Sequence, residues 1–201
     1  MAKALRIGGF VSGAILIGFG VVVIALAINA RSTVTDGLQD EKIVGSADMN
    51  PTDIEAAMKE AGLTGVDVPS CDVADEEIDT GSEARCFAEY MRIHALEASG
   101  GLTYAEMGRF ATEDGDPKGT SDAEQAAKDD NGQPVSNSAR NLWVTETALS
   151  TALNVSYMAE QLALFSLVVG IALLLAGVGF IVLAYAALRP PPGAASSPAT
   201  A

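Results

Sequence analysis

Two long apolar runs without a charged residue dominate the hydropathy pattern of the chain. They cover residues 7–30 and 161–188. A helix needs about 20 apolar residues to cross the hydrocarbon core of a bilayer, so the pattern predicts two transmembrane helices. A signal peptide is the alternative for the first run, because residues 25–27 (Ala-Leu-Ala) resemble a cleavage site. The apolar core of a signal peptide is usually about 7–15 residues long, and this favours an uncleaved span.

Small residues recur at helical spacing in both apolar runs. Such residues let two helix backbones approach closely, so we predict that the two spans pack against each other as a hairpin within one chain. A second copy of the chain is the alternative partner, and small residues are also common in spans that make no such contact. The positions expected at the contact are Gly9, Gly13, Gly170, Ala172, Ala176 and Gly177.

Residues 31–160 carry the start and stop signals of several short helices. Residues 31–44 are expected to continue the first helix beyond its apolar run. Thr52 and Glu55 have the spacing of a capping box, in which the side chain of each residue accepts a hydrogen bond from the backbone amide of the other. They predict the start of a helix that Gly62 ends.

The most apolar helix of this segment is predicted over residues 83–98. Ser82 is its expected N-cap. Its wide apolar face predicts that it lies at the centre of a small domain. A second capping box, Thr103 with Glu106, opens another short helix.

Residues 112–137 are rich in Asp, Gly, Ser, Asn and Pro, and we predict a flexible loop there, because such a segment buries too little apolar surface to offset its ordering entropy. Residues 138–160 then form a helix, capped by Asn137 or Ser138, that continues into the second span without a stop signal. The apolar side of this helix is expected to face the domain with Leu142, Leu149 and Leu153.

The charge of the chain is concentrated between the two runs. All 26 acidic residues and nine of the 12 basic residues lie within residues 31–160, which gives 9 − 26 = −17. Binding to the phosphates of nucleic acid requires a basic surface, so nucleic acid is excluded as a partner. Neither apolar run contains the charged residues that mark ion and substrate pathways in transporters.

Basic residues also predict the orientation in the membrane. Lys3 and Arg6 precede the first span and Arg189 follows the second, and cytoplasmic flanks carry the excess of basic residues. Residues 1–6 and 189–201 are therefore expected in the cytoplasm, the latter as a disordered tail rich in Pro, Ala and Ser. The acidic segment between the spans is then extracytoplasmic, at the cytoplasmic membrane.

Cys71 and Cys86 are the only cysteines, and both fall in the segment predicted outside. An even count in an oxidising compartment predicts one structural disulfide, worth about 3 kcal/mol for a loop of this length. A redox pair is the alternative, although redox cysteines usually have the spacing C-x-x-C. The acidic cluster at residues 72–79 lacks the spacing of a calcium loop, so a solvated loop is favoured over a weak calcium site.

Four stretches of the chain resemble a group of small actinobacterial membrane proteins. They are residues 34–43, 78–85, 90–94 and 101–106. The resemblance implies two spans and a helical outer domain, and members of the group often carry the label "aromatic ring-opening dioxygenase" of the small-subunit kind. Extradiol enzymes hold iron with two histidines and a carboxylate, whereas His94 is the only histidine here. The residues therefore do not support that label as an activity, and an accessory role is the alternative, because the small subunit of such enzymes need not carry the metal.

The sequence predicts an all-α protein with two transmembrane helices that both extend outward into a small helical extracytoplasmic domain with one disulfide. No set of catalytic residues, metal ligands or cofactor-binding residues is recognised. We expect an interaction or structural role at the cell envelope, with the lipid bilayer and either another envelope protein or a second copy as partners. An enzyme or accessory subunit, and a small oligomeric channel or transporter component, are the alternatives.

Overall fold

A computed structural model describes residues 2–186, with side chains from residue 4 onward. Its elements are α1 (Ala2–Glu41), α2 (Pro51–Glu60), α3 (Gly81–Ala98), a single 3₁₀ turn (Tyr104–Glu106) and α4 (Ser138–Ala186). Over the described range the fold is all-α, with isolated bridges in place of strands. The predicted tail at residues 189–201 and the end of the predicted second span lie outside the described residues.

The chain divides into two compact units. One, which we call the helix pair, comprises residues 2–31 of α1 and residues 161–186 of α4. The other, the helical domain, comprises residues 32–160. Both α1 and α4 contain a stretch that is long and apolar enough to cross a membrane.

The helix pair packs through small residues that recur every seven positions. A methyl group added at Gly13 would lie 2.7 Å from the carbonyl oxygen of Gly177, and one added at Gly20 would lie 2.8 Å from that of Gly170. The two backbones are therefore in direct contact, which only glycine permits at this distance. The buried small residues of this seam are Gly13, Gly20 and Ala27 on α1, and Ala163, Gly170, Gly177 and Ala184 on α4.

Two of the predicted contact residues lie elsewhere. Ala172 and Ala176 are exposed in the helix pair, because each is one or two residues from a seam glycine and successive residues are about 100° apart around a helix. Gly9 lies beside Ala184, where an added methyl group would come within 2.9 Å of the alanine methyl.

The core of the helical domain is built around α3. Tyr90 and Ile93 of this helix are buried together with Ile54 of α2 and with Val73 and Ile78 of the connecting segment. The prediction that this helix lies at the centre is thus confirmed.

The predicted N-caps of α2 and α3 are both wrong by two residues. Asn50 caps α2, since its Oδ1 accepts from the amides of Thr52 (3.1 Å) and Asp53 (3.0 Å). Pro51 occupies the first helical position, where an N–H would have no partner within the helix and its absence therefore costs nothing. Thr80 caps α3 through a capping box. Its Oγ1 accepts from the amide of Glu83 (3.2 Å), whose carboxylate accepts from the amide of Thr80 (2.9 Å).

Other predicted helix signals are confirmed. Gly62 adopts a φ of 67°, and the amide of Leu63 donates to the carbonyl of Met58 (2.9 Å), as in a Schellman motif. The capping box of Thr103 and Glu106 is present, although it opens a single 3₁₀ turn.

The segment predicted as a flexible loop, residues 112–137, contains no helix but is held by hydrogen bonds. The amides of Phe110 and Thr120 each donate to the other's carbonyl at 2.9 Å. Asn137 lies at the end of this segment. Its side-chain Nδ2 donates to the carbonyls of Pro117 (2.9 Å) and Gly108 (3.2 Å). Its Oδ1 accepts from the backbone amide of Ala139 (3.1 Å) at the start of α4. Backbone pairing therefore orders a segment that has little apolar surface to bury.

Candidate functional site

The predicted disulfide between Cys71 and Cys86 is present, with the Cα atoms 6.1 Å apart. Cys86 is buried on α3. The Tyr90 hydroxyl, one turn further along, donates to the Cys71 carbonyl at 2.6 Å. Burial of this phenol, together with the nearby Asp72 carboxylate, raises the pKa of Tyr90. The disulfide bond and the Tyr90 hydrogen bond together fix the connecting segment to α3. The role of the disulfide is therefore structural.

His94 joins α3 to the turn that precedes α2. Its Nδ1 lies 2.9 Å from a carboxylate oxygen of Glu97, and its Nε2 lies 3.6 Å from a carboxylate oxygen of Asp48. Hydrogen bonding from the Ser46 hydroxyl at 2.6 Å is the main cause that lowers the pKa of Asp48, and the histidine contributes to it. In the part of the chain that the structure describes, no three His, Cys, Asp or Glu side chains converge on a possible metal position.

Glu146 is a buried carboxylate that the sequence analysis missed. It lies on α4, is 6% exposed, and accepts from the hydroxyls of Ser150 (2.8 Å to Oε1) and Thr147 (3.3 Å to Oε2). It borders a shallow depression of about 500 Å³ together with Arg92. The i, i+4 spacing of the glutamate and the serine was the only sequence signal for this arrangement. Both carboxylate oxygens already have a hydroxyl partner within α4.

The helical domain carries an apolar groove of about 780 Å³ between the last turns of α1, the middle of α3 and residues 149–159 of α4. Leu38 and Leu153 are its most buried lining residues, and Leu149 (48% exposed) and Val155 (53% exposed) are its most exposed apolar ones. The other large apolar side chains that line it are Val34, Ile43, Phe87 and Met91. A cavity of this size and apolarity is typical of binding sites.

Small residues keep this groove open. A methyl group added at Gly37 would meet no atom within 4 Å, and Ala152 on α4 is also exposed. On α1 the groove runs from Thr33 to Glu41, about 12 Å at ~1.5 Å per residue. Among the described residues, Glu41 is the only charged one that lines the groove.

The predicted inward face of α4 is correct only in part, since Leu153 is buried in the core as expected. Leu142 and Leu149 were expected to face inward, but both are exposed, as is Val144. Trp143 is buried instead, and its indole Nε1 donates to the Leu102 carbonyl at 2.9 Å. The apolar periodicity was correct, but it did not show which of two apolar faces is covered.

Comparisons of the chain with family models, curated proteins and solved structures found no match.

Proposed function

We propose that this chain is an integral protein of the cytoplasmic membrane whose acidic helical domain, on the outer side, binds another protein of the cell envelope. The apolar runs of α1 and α4 support the membrane location, because most of their large apolar side chains are exposed, as is typical of surfaces that contact a membrane. The disulfide supports an oxidising compartment for the helical domain.

The groove is the observation that carries the interaction role. An open apolar groove between helices fits the apolar face of a further helix. In this recognition mode, apolar side chains at positions i, i+3 and i+4 of the bound helix enter the groove. Phe87 and Met91 in its lining suit this mode, since aromatic residues are enriched in interface cores and methionine adapts to the shape of a partner. The proposed occupant is an apolar helix of a different envelope protein.

Charge distinguishes a foreign partner from a second copy. Residues 32–160 contain 26 acidic and eight basic residues, so their net charge is 8 − 26 = −18. Two copies would bring equal negative potentials together, which disfavours association. Glu41 within the groove favours a helix flanked by basic residues.

Photo-cross-linking in the native cell tests the proposal. A photoreactive amino acid at Leu149 samples the groove, and one at Val144, which is 55% exposed on the same helix but outside the groove, is the matched control. We expect one discrete adduct from position 149 and none from position 144. Mass spectrometry should identify its partner as a protein with an apolar helix flanked by basic residues.

Filling the groove provides the specificity control. Gly37→Leu places a side chain into the open space and should abolish the adduct, whereas Gly37→Ala leaves most of the space free and should retain it. An adduct at twice the mass of the chain would instead identify a second copy as the occupant. Equal adducts from both positions, or none from either, would refute the groove as the interaction site.

Labelling of introduced cysteines tests the topology separately. A membrane-impermeant maleimide should label Asp130→Cys in intact cells, but Ser196→Cys only after lysis. The reverse pattern would place the helical domain in the cytoplasm and contradict the proposed location.

A further inference from the structure

The helix pair contains a second concave surface, distinct from the groove of the helical domain. A recess of about 730 Å³ lies between the first turns of α1 and the last described turns of α4. Leu5, Phe180 and Leu183 supply its large apolar side chains, and among the residues that the structure describes Arg6 is its only ionisable lining residue. The recess thus combines one permanent positive charge with apolar walls.

The recess exists because two adjacent glycines face different surroundings. A methyl group added at Gly9 would come within 2.9 Å of the Ala184 methyl, so this glycine is needed for contact between the helices. A methyl group added at Gly8 would meet nothing within 4 Å, although Gly8 lines the recess. The open space beside Gly8 is therefore not required for packing of the helix pair.

The chemistry of this surface matches an anionic amphiphile. A guanidinium group presents paired N–H donors that fit a phosphate in a bidentate geometry, and apolar walls beside it accommodate an alkyl chain. We propose that the recess binds one anionic phospholipid, with the phosphate at Arg6 and an acyl chain along Gly8, Phe180 and Leu183. This inference rests on the proposed membrane location of the helix pair, in which Arg6 lies on the cytoplasmic side and the lipid belongs to the inner leaflet.

A helix of a partner protein is the less suitable occupant. Gly8, Phe180 and Leu183 lie in the runs that the bilayer would cover, where lipid chains surround the helices. An exposed arginine at the end of an apolar run is attracted to anionic headgroups, and one such residue strengthens binding about fivefold. Charge and apolarity therefore point to the same ligand.

Native mass spectrometry of the full chain released from detergent micelles tests the site. With phosphatidylglycerol added, the wild-type protein should retain one lipid per chain, and it should retain the zwitterionic phosphatidylcholine less well. Arg6→Gln should weaken retention of phosphatidylglycerol about fivefold and remove the preference between the two lipids. Arg6→Lys keeps the charge but loses the paired donors, so its retention should be intermediate.

A glycine pair separates occupancy of the recess from a general change in α1. Gly8→Leu should displace the lipid by filling the space, whereas Gly18→Leu, at another glycine of α1 whose added methyl would also meet nothing within 4 Å and which is outside the recess, should leave retention unchanged. Equal retention of both lipids by all variants would overturn the proposal. Competition by glycerol 3-phosphate at equal concentration would overturn it as well, because it would identify a site for a free phosphate ester.

Extraction of membranes at alkaline pH distinguishes failure of this site from failure of the proposed location. A chain that remains in the membrane pellet but binds the two lipids equally lacks only the lipid site. A chain released into the supernatant is not an integral membrane protein, and both proposals then fail. The cysteine labelling above verifies that the Arg6 variants retain the wild-type orientation.

Discussion

Replacement of Gly81 by alanine should destabilise the helical domain, because this residue sits where the start of α3 touches α4. A β-carbon at this position would lie 2.8 Å from the Ser156 carbonyl oxygen and 2.8 Å from the Tyr157 Cα. Both neighbours are backbone atoms of a helix, so neither can rotate away. The carboxylate of Glu160, which accepts from the Ser82 amide at 3.2 Å, would lie 2.9 Å from the new methyl group.

The expected loss follows from the cost of overpacking. Insertion of a methyl group into a closed contact costs about 1–3 kcal/mol, and the better helix propensity of alanine recovers at most about 1 kcal/mol. We expect the free energy of unfolding to fall by about 1–2 kcal/mol. For a domain of this size the melting temperature should then fall by roughly 3–10 °C.

Trp143 makes this loss measurable in the full-length protein. It is the only tryptophan, it is 3% exposed, and it belongs to the helical domain, so its fluorescence reports the unfolding of that unit. Urea titration in a mild detergent gives the midpoint and the slope, and an unchanged slope shows that the free energy of unfolding itself has changed.

Gly37→Ala is the matched control, because it makes the same substitution at a helical glycine of the same unit with open space around it. Alanine should raise stability there by about 0.5–1 kcal/mol. If Gly81→Ala is neutral or stabilising while Gly37→Ala behaves as expected, the contact between α3 and α4 is not as close as described, and the argument is refuted.

Three further predictions concern the cross-links of the helical domain. Joint replacement of Cys71 and Cys86 by serine should lower the free energy of unfolding by about 3 kcal/mol, and a reductant should have the same effect on the wild-type urea midpoint and none on the variant's. The Ser46 hydroxyl lowers the pKa of Asp48 below its ordinary value of 3.8. The ionised carboxylate therefore stabilises the fold above pH 3.8, and this contribution is lost as the pH falls below that value. The difference in urea midpoint between wild type and Asp48→Asn should shrink between pH 6 and pH 3, and a constant difference would contradict this prediction. Asn137→Ala removes an N-cap and leaves two loop carbonyls without a donor, which should cost roughly 2–4 kcal/mol, as measured by the same titration; a loss below about 1 kcal/mol would show that the loop carbonyls find other donors.

The sequence predicted the helices because their signals are local. Hydropathy marked both apolar runs, and two cysteines in the segment predicted outside sufficed to predict the disulfide. The start of α3 was wrong because Thr80 and Ser82 are both good N-caps, and tertiary contact decides between them. Starting the helix at Gly81 places its smallest residue against α4 and directs the Ser82 amide to the Glu160 carboxylate.

The groove was not predictable for a different reason. Periodicity identifies an apolar face but does not show whether another element covers it. Helix α4 carries apolar residues on more than one side within the helical domain, and only the packing of Trp143 and Leu153 inward leaves Leu149 exposed. An inward tryptophan was the signal that could have been weighted more strongly, because a buried indole needs an acceptor and the adjacent loop supplies one in the Leu102 carbonyl.

The distribution of small residues connects the two proposed sites. Within the helix pair, the glycines at seven-residue spacing are needed for contact between the two backbones, as where Gly13 lies against Gly177. Four glycines of α1 and α4, Gly8, Gly18, Gly37 and Gly179, depart from that spacing, and an added methyl group at any of them would meet nothing within 4 Å. Of these four, Gly8 lines the recess and Gly37 lines the groove. Glycine inside a helix costs about 1 kcal/mol relative to alanine, so a glycine that contacts nothing lowers stability without a compensating gain in packing. Gly8 and Gly37 each line a concave apolar surface, one beside an arginine and one beside a glutamate. Substitution by leucine at Gly8 and Gly37 should therefore abolish two different interactions while leaving the fold intact. Leucine at Gly18, which is equally open but lines neither surface, should leave both interactions unchanged.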